Sequence, residues 1–181
     1  MATSKPRALV LGHSFVRRIG EFIDRSQAKD RCSRDFNLSN FCDLEICGFG
    51  GRTVDRMTLE KIRSTAPDVV VLDLGSNEVC DSSCDVATIA LLLVAFIELL
   101  LGEFTLQFIV VCQLLPWKRQ PFDGYNDRVS QVNTLVREAL QDIQRTKFWN
   151  HRGLTRGMTY SPAQRFLCRR TNPPRQYLNH C

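Results

Sequence analysis

Apolar residues along this chain fall into short runs that alternate with stretches of helical spacing. Arg7-Ala-Leu-Val-Leu-Gly12 closes on glycine and predicts a buried strand, after which Phe15, Ile19, Phe22 and Ile23 predict a helix over 15–29. Asp43-Leu-Glu-Ile-Cys-Gly48 alternates as a strand does, breaks at Gly48-Phe-Gly-Gly51, and leads into a helix over 53–64 with Thr53 as its N-cap. Pro67 to Gly75 is rich in valine and closes on glycine, the pattern of a buried strand. A helix is predicted over 85–102, a strand over 105–112, and an amphipathic helix over 125–145 with Val129, Val132, Val136, Leu140 and Ile143 on one face. Thr146-Lys-Phe-Trp-Asn150 completes the series as an edge strand.

This alternation predicts an α/β fold, a three-layer α/β/α sandwich around a mainly parallel sheet of about five strands. A chain of 181 residues suits one domain. The longest apolar run, Ala87 to Leu101, holds Glu98 within its 15 residues. A membrane span needs roughly 20 apolar residues, so the run predicts a buried helix and no transmembrane segment.

Parallel sheets place their sites at the carboxyl ends of the strands, which directs attention to three loops. Ser14, at the first turn of a helix, could attack a carbonyl and steady the oxyanion with its own N–H. Gly51 lets a backbone N–H approach the same point with no side chain in the way. Asn77 could add a side-chain NH₂ donor. Each also has an ordinary reading, Ser14 as an N-cap, Gly51 as a turn and Asn77 as an Asx turn; their occurrence after three successive strands favours a site.

The net charge of +5 is unevenly placed: residues 143–181 carry eight Lys and Arg and no Asp or Glu, leaving 16 basic and 19 acidic residues before them. The expected organisation is a domain over 1–150 and a basic, Pro-rich tail over 151–181 that is poorly packed or aberrant. Contact with nucleic acid through the arginines of the tail is its functional alternative. Eight cysteines without a secretory leader are expected to stay reduced in a cytoplasmic protein. Cys80 and Cys84 lack the second ligand pair that a zinc site needs.

Leu-Gly-His13-Ser14-Phe-Val, Gly48-Phe-Gly-Gly51-Arg-Thr and Val-Leu-Asp-Leu-Gly75-Ser-Asn77-Glu, in this order, resemble the first three blocks of the SGNH (GDSL-like) serine hydrolases. The likeness covers residues 7–150 and is nearest to the esterase-like domains of animal genomes and non-LTR retrotransposon proteins. It implies the flavodoxin-like sandwich, Ser14 as nucleophile and first oxyanion donor, Gly51 and Asn77 as further donors, an acyl-serine intermediate, small ester substrates, and no metal or organic cofactor. His13 and Glu78 stand where the family has Asp.

The family ends on Asp-x-x-His, and no carboxylate follows Asp142 here. Of the three histidines, His13 adjoins Ser14, His151 follows the fifth strand, and His180 is the nearest match to the family's base, with Tyr177 where the Asp would stand. A frameshift or splice change after about residue 150 would account for such an ending. Two functions follow, a serine esterase impaired by the missing pair, or an inactive SGNH-like binding domain for an acylated ligand or RNA. A flavodoxin-like nucleotide-binding domain is a third reading, disfavoured because the first loop offers Gly12 alone and no phosphate-cradling glycine series.

Overall fold

A computed structural model describes residues 5–27, 36–50 and 56–151. Its elements are β1 (Arg7–Gly12), α1 (Ser14–Gln27), β2 (Asp43–Gly48), α2 (Arg56–Thr65), β3 (Val69–Asp73), α3 (Ser76–Cys80), α4 (Val86–Glu103), β4 (Phe108–Cys112), α5 (Tyr125–Ala139) and β5 (Thr146–Trp149). The strands form one parallel sheet in the order β2-β1-β3-β4-β5. The expected α/β/α architecture is therefore present, with β5 on the edge.

Alternation along each strand divides the sheet into two faces. Leu9, Leu11, Val70, Leu72, Ile109 and Val111 point into the main core, where they meet Ile62 of α2, Ile89, Leu93 and Ile97 of α4, and Val129, Val132 and Val136 of α5. Val10, Gly12, Val71 and Asp73 point the other way, toward the face on which α1 buries Val16 and Ile23.

Three elements differ from the sequence-based expectation. The short helix α3 was not expected. Helix α5 stops at Ala139 although Leu140 and Ile143 continue its spacing; the chain passes through a turn over 140–145, where Arg145 takes a positive φ of 63°, before it enters β5. Helix α4 is long and apolar enough to cross a membrane by length and composition. It packs on α5 and buries Ile89, Leu93, Phe96, Ile97 and Leu100, but its outer face leaves Leu91, Leu92 and Leu99 exposed, so it is buried on one side only. Asp85 caps it, accepting from the N–H groups of Ala87 (2.9 Å) and Thr88 (3.2 Å). The expected N-cap Thr53 lies outside the described residues.

Candidate functional site

Strand order puts a topological switch point between β1 and β3: the chain leaves β1 toward β2 on one side, and leaves β3 toward β4 on the other. The loops diverge there and open a crevice beyond the strand ends. His13, Ser14, Phe15, Asp73, Ser76, Asn77, Leu115 and Trp117 line it.

The turn after β1 is fastened on both flanks. Gly12 O accepts from Phe49 N at 2.8 Å, and His13 N donates to Asp73 O at 3.3 Å. His13 O accepts from Arg17 N at 3.1 Å, which makes His13 the cap and Ser14 the first residue of α1. The N–H groups of a first turn have no acceptor within their own helix, so Ser14 sits where positive potential collects. Glycine is required nearby: a Cβ on Gly48 would lie 2.0 Å from Arg17 N, and one on Gly12 would lie 2.4 Å from the Val16 side chain and 2.8 Å from Asp73 O.

His13 does not face Ser14. Its ring is buried, with Nε2 3.1 Å from the Gly75 N–H, Nδ1 3.3 Å from Asn77 Nδ2, and Nε2 3.7 Å from Glu78 Oε2. A backbone N–H can only donate, so Nε2 accepts from Gly75. Gly75 reaches its partner through a positive φ of 115°, which favours glycine. His13 is thus a positioning residue for Asn77 and for the loop after β3. His13→Ala is expected to lower unfolding stability by about 1–3 kcal/mol, by leaving the buried Gly75 N–H without its acceptor. An unchanged urea midpoint would contradict this role.

The far wall is set by two asparagines of α5. Asn133, 8% exposed, accepts from Leu114 N at 2.8 Å and donates to Leu114 O at 2.9 Å. Asn126 does the same for Trp117, with Oδ1 2.9 Å from its N and Nδ2 donating to its O at 3.0 Å. Trp117 also packs on Tyr125, ring centroids 5.2 Å apart. Asn133→Ala strips partners from both backbone groups of Leu114, and a loss of about 2 kcal/mol or more is expected by chemical denaturation.

Asp73 was not expected in the site. Burial pushes its carboxyl above the ordinary carboxylate range, while charge on His13 and His151 pulls it back. Cys112, which ends the adjacent β4, has its thiol pushed up to about 12 by burial and by the charge of Asp73, so it is protonated and not nucleophilic at neutral pH. His151 donates its backbone N–H to Gln113 Oε1 at 3.2 Å, at the same end of the sheet.

Of the residues expected from sequence, Ser14 and Asn77 come together in the crevice, and Glu78 lies behind His13. Gly51 and His180 lie outside the described residues, although Phe49, just before Gly51, is tied to Gly12. Asp73, Trp117, Asn126 and Asn133 escaped the sequence reading. The available signal was a lone carboxylate in the otherwise apolar Val-Val-Val-Leu-Asp73-Leu run.

No family model and no curated protein matches the chain. Its fold is that of solved SGNH and GDSL-like acylhydrolases and esterases. A Streptococcus pneumonia protein provisionally described as a platelet activating factor superposes with a TM-score of 0.57 at 18% identity, covering 83% of this chain and 68% of the other. A catalytic mutant of an acetylxylan esterase from Geobacillus stearothermophilus gives 0.56 at 12%, covering 82% and 77%. A GDSL-like lipase from Bacteroides thetaiotaomicron gives 0.56 at 16%, covering 82% and 72%.

Proposed function

We propose that this chain is a serine acyl hydrolase that cleaves small carboxylic esters through an acyl-Ser14 intermediate. One observation carries the reading: Ser14, at the first turn of α1, and Asn77, oriented by His13, line a single crevice at the β1–β3 switch point. A helix N-terminus and an amide donor beside a hydroxyl suit the tetrahedral oxyanion of acyl transfer. The fold shared with esterases and lipases supports the same class.

In this reading Ser14 Oγ attacks the ester carbonyl. The N–H of Ser14 and the Asn77 amide hold the oxyanion, with Gly51 as the third donor that the sequence resemblance implies. Trp117 and Leu115 provide an apolar wall for the acyl or alcohol part. The retrotransposon-type kinship belongs to the same proposal and rests on the sequence blocks alone.

Purified protein is expected to turn over p-nitrophenyl acetate and to react with a fluorophosphonate probe. A folded sample that does neither would refute the reading and leave the inactive binding domain in its place.

A further inference from the structure

We propose that Asp73 is the general base of this site, taking the Ser14 Oγ proton in place of a histidine. The inference rests on Ser14 being the nucleophile. Asp73 ends β3 in register with Gly12 of β1, two residues before Ser14, and both Asp73 and Ser14 line the crevice. Gly12 supplies no side chain between them; a Cβ there would sit 3.0 Å from Asp73 Cβ. His13, the nearest histidine in sequence, has both ring nitrogens turned to Gly75 and Asn77 and cannot serve.

Asp73 also lacks a structural reason to be charged. Among the described residues no hydrogen bond or ion pair reaches its side chain; only its backbone oxygen is used, by His13 N. The carboxyl is half-buried and opens on the crevice, and the residues that precede it on its face of β3 are valines. A partly desolvated carboxyl that lines a cleft is a candidate functional group. Enclosure also raises the proton affinity of the carboxylate, which makes it a better acceptor for a hydroxyl proton than an exposed one. The titratable groups around it are His13 at the cap of α1, Cys112 on β4 and His151 beyond β5, with Glu78 of α3 behind His13.

The step balances. As Oγ bonds to the carbonyl carbon, its proton passes to Asp73. When the ester C–O bond breaks, that proton goes to the departing alkoxide oxygen. Water then attacks the acyl-serine, giving a proton to Asp73, and Ser14 Oγ recovers it as the enzyme is released.

The test compares fluorophosphonate labelling rates of the full chain and its Asp73→Asn variant from pH 5 to 9, with urea unfolding in parallel. Labelling of wild type should rise with pH around a midpoint above the ordinary carboxylate range, since only the ionised carboxylate accepts a proton. Asp73→Asn should label at least about 100-fold more slowly, with a flat profile. Its unfolding midpoint should hold or rise, because an amide is less costly to desolvate than a carboxylate. Asp73→Glu should recover part of the rate and its pH dependence, which a purely structural role would not produce. Equal labelling of wild type and Asp73→Asn would overturn the assignment while leaving Ser14 the nucleophile. So would loss of labelling in His180→Ala or His151→Gln with retention in Asp73→Asn, which would give the role to a histidine. An unlabelled wild type would overturn both readings.

Discussion

Ser14→Ala is expected to reduce ester turnover by about 10⁴-fold or more, the scale seen when a serine nucleophile is removed. The fold should not change. Ser14 Oγ takes part in none of the hydrogen bonds that hold the described residues together, and alanine is a good helix former at the first position of α1. Equal turnover by the two proteins would move the chemistry elsewhere. A thermal transition that collapses in the variant would mean that Ser14 is structural.

The second large effect concerns stability. Gly48→Ala forces a methyl group to within 2.0 Å of Arg17 N and 2.4 Å of Arg17 Cα, a collision with backbone that no rotamer change relieves. Either β2 or the start of α1 must move, at a cost of about 3 kcal/mol, the upper end of what overpacking typically costs. Because the displaced turn carries Ser14, activity should fall beyond what partial unfolding explains. A urea midpoint within 0.5 M of wild type, a margin of roughly 1 kcal/mol at typical slopes, would contradict the close packing. Gly20→Ala is the control, since a Cβ there meets nothing nearer than 3.9 Å.

The fold was legible because each strand carries its own punctuation. Gly12, Gly48 and Gly75 mark the ends of the first three strands, and all three are sterically or conformationally required there. Helix ends were less legible. Leu140 and Ile143 keep helical spacing past the end of α5, because they still pack on the core from a turn. Hydrophobic period reports which side is buried, not which backbone carries it. Helix α4 misled in a related way, since uniform apolarity conceals that only one face is covered.

The site was half legible. Ser14 and Asn77 announce themselves by following strands, and their meeting needs only the β1–β3 adjacency that a doubly wound sheet supplies. The role of His13 is not deducible from its position beside Ser14, because the ring turns back under the loop to Gly75, 62 residues away in the chain. Asn126 and Asn133 read as ordinary polar positions of an amphipathic helix. Their function appears only when the loop over 113–117 is laid across α5. Asp73 reads as an interruption in a strand until register with Gly12 brings it to the nucleophile's side of the sheet.

The most direct test of the account is to map the residue that a fluorophosphonate probe modifies, by peptide mass spectrometry of the labelled full chain. The account predicts a single adduct on Ser14. An adduct on another serine, or a folded protein that carries none, would contradict it.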